Sequence, residues 1–345
     1  MGTRVKGMMG RSRIGRRSAW AALMVISALL TRCTPDDPTI TTVPKLALPA
    51  LPPTPVFNGD SAYAFVAMQV GFGPRVPGTA AHKACGDALV ARFKSYGAEV
   101  IEQTGTVTIY TGQKIPLRNI IARFNPEEKE RILLFAHWDT RPFADKDDER
   151  KGEPIDGAND GASGVGVLME IARNLAAKGH GPGVDILLTD VEDYGQPSGA
   201  MGDERSIDTW ALGAQYFAKD PHVPGYTARF GILLDMVGAR DAVFYREALS
   251  MQYAPAVVAK VWRTAAAIGH GDRFIQETKY FVGIDDHVPI NRKLRIPSID
   301  IIQYDPQTQA FGPYWHTHDD NLSVIDRETL RAVGRTVLEV VWQER

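Results

Sequence analysis

Short apolar runs alternate with segments of helical periodicity along most of the chain, and this alternation limits the fold more than any other sequence feature. Short apolar runs between turn residues are typical of buried strands. Strands that alternate with helices are typical of a parallel sheet covered on both faces. We therefore predict an α/β fold, a three-layer α/β/α sandwich with a mixed, mostly parallel central sheet. The predicted strands are residues 131–136, 184–189, 230–234 and 297–302, and the predicted helices are residues 79–96, 164–177, 255–268 and 327–342.

Composition and charge narrow the class of protein. The 345 residues are 44% hydrophobic and 23% charged, which is enough apolar material for a large core. The formal net charge of -2 gives no basic field for nucleic acid, so we expect no nucleic-acid partner. The only cysteines, Cys33 and Cys85, are too few for a disulfide framework. We expect Cys85 to be a small packed residue on the helix at 79–96.

The N-terminal region predicts export. Six Lys and Arg residues and no acid lie in residues 1–18, and a 12-residue apolar run interrupted only by Ser27 follows at 19–30. That run is shorter than the roughly 20 residues of a membrane span. We predict an export signal at residues 1–33, a Pro/Thr-rich linker at 34–57 and one catalytic domain at 58–345. Cys33 is either the lipid-carrying first residue of a membrane-anchored lipoprotein or is lost with the leader, so the predicted location is periplasmic or extracellular.

Polar residues follow each predicted strand at its carboxyl end. Ligands of open α/β sheets bind outside the carboxyl ends of the strands, so we expect these side chains to converge on one edge. The residues are His137, Asp139, Asp190, Glu192, Asp193, Asp235 and His316.

A subset of these residues, with Asp160 from the segment GANDGASG, offers only nitrogen and oxygen donors. Each taken singly also has a structural explanation, such as a helix cap or a turn. Together they favour a catalytic Zn²⁺ site, because imidazole and carboxylate suit that metal. Glu192, next to a predicted ligand, is then free to act as general acid or base. The predicted donors are His137, Asp160, Asp193, Asp235 and His316.

Several ordered motifs resemble one enzyme family. The chain from 58 to 345 is similar to the zinc-dependent M28 peptidase family, and within it to the glutaminyl-peptide cyclotransferases (glutaminyl cyclases) of bacterial and animal type. The resemblance implies a zinc-aminopeptidase-like, phosphorylase/hydrolase-like fold. The motifs are HWDTRP (137–142), GANDGASG (157–164), TDVEDYG (189–195), LLDMVGA (233–239), IDDH (284–287) and YWHTHDDN (314–321).

The resemblance implies roles for matching positions. It makes Glu192 the catalytic acid/base and places the carboxyl groups of Asp235 and Asp285 beside the metal. A further group is implied to serve a second zinc or its surroundings, with Asp300 standing where animal cyclases have His. The implied zinc ligands are Asp160, Asp193 and His316, the implied pocket aromatics are Trp315 and Phe311, and the second group is His137, Asp139 and Asp300.

Two loops complete the predictions. The charged segment 144–153 is expected to be a solvated surface turn. Residues 196–210 are expected to form a long loop that walls the pocket, in which Trp210 either contacts substrate or anchors the next helix.

Three functions remain open at this stage. The first is a monomeric one-zinc enzyme that converts N-terminal glutamine of peptides or proteins to pyroglutamate and ammonia. The second is a two-zinc aminopeptidase in which His137 and Asp235 bind the second ion. If Asp235 shares a proton with Asp285, it is a poor ligand for a second cation, and the likeness of the IDDH and YWHT segments to cyclases favours this first function. The third is an inactive, tethered binding module.

Overall fold

A six-stranded sheet organises the computed structural model, which describes residues 53–178, 182–197, 209–279 and 282–344 together with Gly2. Cys33 and the rest of the predicted leader except Gly2, the predicted linker up to residue 52, and residues 198–208 of the predicted pocket loop lie outside these residues. The strands are β1 (Glu99–Thr108), β2 (Lys114–Phe124), β3 (Arg131–His137), β4 (Gly183–Thr189), β5 (Phe230–Asp235), β6 (Phe244–Arg246), β7 (Phe274–Thr278) and β8 (Ser298–Ile302).

Eight α-helices accompany the strands in the described part of the chain. The three-residue helix α7 continues directly into a π-helical segment, Ile290–Leu294. The helices are α1 (Gly59–Val70), α2 (Ala80–Ser95), α3 (Ala162–Lys178), α4 (Leu212–Lys219), α5 (Ala248–Tyr253), α6 (Pro255–Ala267), α7 (His287–Pro289) and α8 (Arg327–Gln343).

The sheet is mixed and mainly parallel, in the order β1-β2-β4-β3-β5-β8. β3, β4, β5 and β8 run parallel, whereas β1 and β2 pair antiparallel with their neighbours. β6 and β7 form a separate two-stranded parallel sheet. The prediction of a mixed, mostly parallel α/β sheet is therefore confirmed.

Successive side chains of the buried strands pack into two different hydrophobic clusters, one on each face of the sheet. Leu134 and Leu234 face one hydrophobic cluster, which also contains side chains of α1, α2, α3, α6 and α8. Leu133 and Leu233 face the other cluster, with α4 and the π-helical segment. Because successive side chains of a strand point to opposite faces, each central strand is buried on both sides and the sheet forms the middle of three layers.

Parallel pairing places the carboxyl ends of four strands at one edge. β3 ends at His137 and β5 ends at Asp235, while Asp190 directly follows β4. Among the described residues no helix is long and apolar enough to cross a membrane.

Candidate active site

A cavity of about 470 Å³ opens at the carboxyl edge of the parallel strands. Its volume lies in the range of small-ligand pockets. Polar residues from several strand ends share it with aromatic and aliphatic side chains. The lining residues are Arg141, Asp145, Asp160, Glu192, Asp193, Gln196, Trp210, Asp235, Met236, Val282, Gly283, Ile284, Asp285, Ile302, Phe311, Trp315 and His316.

Asp160, Asp193 and His316 form a buried group whose donor atoms all lie within 4.8 Å of one another. His316 Nε2 lies 3.3 Å from Asp193 Oδ1 and 3.7 Å from Asp160 Oδ2. Asp193 Oδ2 is buried and has no hydrogen-bond partner among the described residues. An unpartnered buried carboxylate oxygen is costly, and a cation at this point would satisfy it. Two carboxylates and one imidazole fit a catalytic Zn²⁺.

The loop that carries Asp160 is fixed by backbone contacts. Asp320 accepts hydrogen bonds from the N–H groups of Asn159 (2.7 Å) and Asp160 (3.0 Å). Gly161 has φ +89°, and a Cβ there would lie 2.8 Å from His137 Cε1. Only glycine fits this position without strain, because the backbone turns left-handed against the imidazole.

Glu192 and Asp193 leave β4 through a strained turn. Val191, just before them, has φ 55°, a value that is rare for a β-branched residue. The carboxylate of Asp139 accepts the N–H groups of Glu192 and Asp193, each at 3.2 Å. Asp139 thus supports the backbone that carries Glu192 and Asp193, and its Oδ1 also lies 3.6 Å from His137 Nδ1.

His316 is held by a residue that the sequence did not indicate. Asp145 Oδ1 lies 3.2 Å from His316 Nδ1 and 2.7 Å from Arg141 Nε. Burial raises the pKa of Asp145, but His316 and Arg141 outweigh this and hold it well below the usual range. The expectation that segment 144–153 is wholly a solvated turn is therefore wrong at Asp145, which is half-buried and lines the cavity. A carboxylate on the far nitrogen of a metal-binding histidine orients the ring.

A second group shares Asp160 with the first. His137 Nε2 lies 3.0 Å from Asp160 Oδ1 and 3.2 Å from Asp235 Oδ1, and the donor atoms of these three residues lie within 4.8 Å of one another. Burial lowers the pKa of His137, but neighbouring carboxylates outweigh it and the net pKa is well above the usual value. The fold therefore brings these three side chains together. Either a second cation bound by all three, or a proton on the His137 imidazole, would offset the charge of the two carboxylates.

The pKa values of Glu192 and of the carboxyl groups around it are raised. Burial raises the pKa of Glu192 well above its ordinary value and that of Asp235 to about 6. Burial, followed by the charge of Asp235, raises the pKa of Asp285 to about 7. Mutual destabilisation of two charged carboxylates is the condition under which such a pair holds a proton.

Asp300 lies behind the cavity, next to Asp285 and not beside His137. Donor atoms of Asp285, His287 and Asp300 lie within 4.8 Å of one another. Both oxygens of Asp300 are buried and have no hydrogen-bond partner among the described residues. Burial and the nearby charge of Asp285 raise the pKa of Asp300 well above the usual value. Asp300 is thus a neighbour of the inner carboxyl group and is not in the ligand groups around Asp160.

Three aromatic side chains form walls of the cavity. Phe311 meets Trp315 edge to face with ring centroids 4.9 Å apart, and Trp315 lies 4.0 Å from the His316 ring. Trp210 stacks nearly parallel to His316, at 6.4 Å and 8°. The three aromatics predicted to bind substrate therefore line one cavity, beside His316.

Arg141 is a further site residue that the sequence reasoning did not single out, although it lies within the HWDTRP motif. Its side chain is buried, and Nη1 lies 3.2 Å from Asp193 Oδ1. The guanidinium also lies 4.9 Å from the ring centroid of Trp210. Arg141 therefore links a proposed ligand to an aromatic wall.

Comparisons with known proteins agree with this geometry. Residues 119–341 match the model of peptidase family M28. The structure of a Bacteroides thetaiotaomicron glutaminyl cyclase is 49% identical, with a TM-score of 0.83, over 85% of this chain and 100% of that one. A leucine aminopeptidase precursor from the same organism is 48% identical, with a TM-score of 0.82, over 86% of this chain and 100% of that one. The glutaminyl-peptide cyclotransferase of Bothrops jararaca is 26% identical over 250 residues, and the match covers 64% of this chain and 64% of that relative.

Proposed function

Because this chain belongs to peptidase family M28, we propose that it uses the cavity to convert N-terminal glutamine of peptides or proteins to pyroglutamate with release of ammonia. The observation that carries the proposal is the placement of buried Glu192 in one cavity with Asp160, Asp193 and His316. The similarity to a solved glutaminyl cyclase supports it.

The reaction needs a group that moves a proton. The α-amine of glutamine attacks its own side-chain amide carbon, a C–N bond forms, and the bond to the amide nitrogen breaks to release ammonia. Glu192 takes a proton from the attacking amine and returns it to the leaving nitrogen. Such general acid–base catalysis is typically worth about 10² to 10⁴ in rate. A carboxyl group whose pKa burial has raised is suited to both steps, because it accepts a proton more readily than an ordinary carboxylate does.

Asp160, Asp193 and His316 would hold the zinc ion, with His316 oriented by Asp145. Zinc bound there supplies Lewis-acid polarisation of a carbonyl oxygen, an effect of several kcal/mol. We propose one ion per chain. A proton shared by Asp235 and Asp285 would support this count, because burial raises the pKa of both groups and a carboxyl pair that shares a proton is a weak ligand for a second cation.

The aromatic walls would position the substrate. An intramolecular attack requires the glutamine side chain to fold back on its own amine, so the pocket must hold it in a compact form. Phe311, Trp315 and Trp210 surround the ligand group on the cavity side and would exclude water from the reacting atoms.

The alternative function is hydrolysis by an aminopeptidase with two zinc ions. The observation that favours it is the group formed by His137, Asp160 and Asp235, which could hold a second ion beside the first. The leucine aminopeptidase precursor with 48% identity has the same fold. In this reading Glu192 would activate a water molecule rather than a substrate amine.

One experiment separates the two functions. Purified residues 58–345 are incubated with a glutaminyl dipeptide and, separately, with a leucyl anilide, while zinc per chain is counted. Ammonia release with one zinc supports the cyclase. Anilide cleavage with two zinc ions and no ammonia would replace it with the peptidase. Absence of both activities and of bound zinc would favour the inactive binding module.

Export belongs to the same proposal. The basic and apolar segments of residues 1–33 support it, and the seven prolines of residues 34–57 suit an extended tether. Mass spectrometry of the N-terminus of protein from an exporting bacterial host tests it. A diacylglyceryl group on Cys33 would establish the anchor, a start beyond Cys33 would establish a discarded leader, and an intact leader would contradict export.

A further inference from the structure

His82 of α2 and Asp190 at the end of β4 form a buried pair outside the cavity. His82 Nε2 donates a hydrogen bond to Asp190 Oδ1 at 2.9 Å. The exposed fraction is 5% for His82 and 0% for Asp190. Neither side chain lines the cavity, so neither contacts a substrate bound there.

Asp190 fixes the turn that presents Glu192. Its Oδ2 accepts the N–H of Arg118 at 2.6 Å, and its Oδ1 accepts the N–H of Val191 at 2.9 Å. The N–H of Asp190 itself donates to Asn119 Oδ1 at 2.9 Å. The left-handed backbone of Val191 is strained for a β-branched residue and persists only where its surroundings enforce it. The Asp190 carboxylate, two residues before Glu192, provides part of that enforcement.

The other contact of His82 is with the end of β3. Its ring stacks on the indole of Trp138, with centroids 4.0 Å apart and planes 17° apart. Trp138 lies between His137 and Asp139, and Asp139 accepts the N–H of Glu192 at 3.2 Å. One imidazole therefore contacts the residues that follow β3 and β4, two of the strands whose ends carry polar side chains of the site.

We propose that His82 is a positioning residue, which sets the placement of Glu192 through Asp190 and Trp138. The kinetic part of this inference rests on the proposed cyclase function. A displacement of about 1 Å in a catalytic group can cost about 10²-fold in rate, so loss of one remote hydrogen bond reaches the chemistry through Glu192. Because the cavity walls are untouched, substrate binding should change little.

The test compares substitutions that separate the two contacts of His82. His82→Phe keeps an aromatic ring for Trp138 and removes the hydrogen bond to Asp190. We expect kcat for ammonia release to fall about 10- to 100-fold, with KM within about threefold of wild type. His82→Gln places an amide nitrogen near the position of Nε2 and should recover much of kcat. Should His82→Phe fail to fold, His82→Asn serves instead, because its shorter amide does not reach Asp190.

A matched control separates positioning from general loss of packing. His222 is a half-buried histidine outside the cavity lining, and it packs against Phe217 (5.7 Å) and Tyr226 (4.7 Å). His222→Phe changes the same residue type in an aromatic cluster. It should leave kcat unchanged whatever it does to the melting temperature.

Hydrogen exchange gives a readout that needs no activity. In His82→Phe the amides of residues 190–193 should exchange at least about tenfold faster than in wild type, and His222→Phe should not have this effect. Wild-type kcat together with wild-type exchange in His82→Phe would overturn the proposal and leave His82 as a core residue. If the wild-type protein releases no ammonia but His82→Phe still exchanges faster than wild type at residues 190–193, the cyclase function is refuted and the positioning role remains.

Discussion

Replacing Glu192 with Gln tests the proposed chemistry most directly, because the change removes proton transfer and keeps the shape of the side chain. Glu192 is 9% exposed and lines the cavity, and it does not belong to the ligand group Asp160, Asp193 and His316. Glu192→Gln should therefore keep its zinc and lose turnover.

The size of the loss follows from the neighbours of Glu192. Removal of a general acid/base costs about 10² to 10⁴ in rate. Asp235 and Asp285 line the same cavity and have pKa values that burial raises to about 6 and about 7, so either can carry part of the proton transfer. We therefore expect kcat to fall about 10³-fold, which corresponds to about 4 kcal/mol of transition-state stabilisation.

The assay is ammonia release from a glutaminyl dipeptide, with zinc per chain and the melting temperature measured on the same samples. Glu170→Gln is the matched control, because Glu170 is fully buried on α3 and does not line the cavity. Its Oε1 lies 2.6 Å from Arg173 Nη2. That variant should lose stability and keep kcat. A Glu192→Gln enzyme with full zinc occupancy and kcat within threefold of wild type would refute the role of Glu192.

Four further predictions concern the metal, the pocket and the thiol. Removal of zinc with a chelator should abolish ammonia release and lower the melting temperature, and one equivalent of zinc should restore both. The reason is that the ion would bind only the folded ligand group. Activity that survives at zero zinc per chain would contradict this. Gly195→Ala should raise KM, since a Cβ there would lie 2.0 Å from Trp210 and push it from the cavity wall, and an unchanged KM would remove Trp210 from substrate binding. Trp315→Leu should raise KM roughly tenfold with a smaller effect on kcat, because the substrate side chain loses apolar contact. A selective fall in kcat would instead assign Trp315 to the chemistry. Cys85 should resist iodoacetamide at pH 8 until the protein unfolds, because burial raises its pKa to about 11 and leaves about one thiolate in 10³; rapid labelling of native protein would contradict this.

The sequence determined the central elements of the fold. The four predicted strands match β3, β4, β5 and β8 to within one residue at each end, because strands buried on both faces need continuous apolar runs. The antiparallel edge strand β1 was not predicted. Its residues alternate between half-buried and exposed and include Glu, Gln and Thr, so its pairing with β2 leaves little hydrophobic signal.

The sequence also determined which donors are available at the site, since Asp160, Asp193 and His316 stand in recognisable segments. Tertiary structure alone decided which of them meet, that Asp145 supports His316, and that His82 reaches Asp190 from 108 residues away in the chain. The physical reason is that periodicity and turn residues specify each element locally. The distances between side chains of different elements depend on how all the elements pack, and no local pattern carries that information.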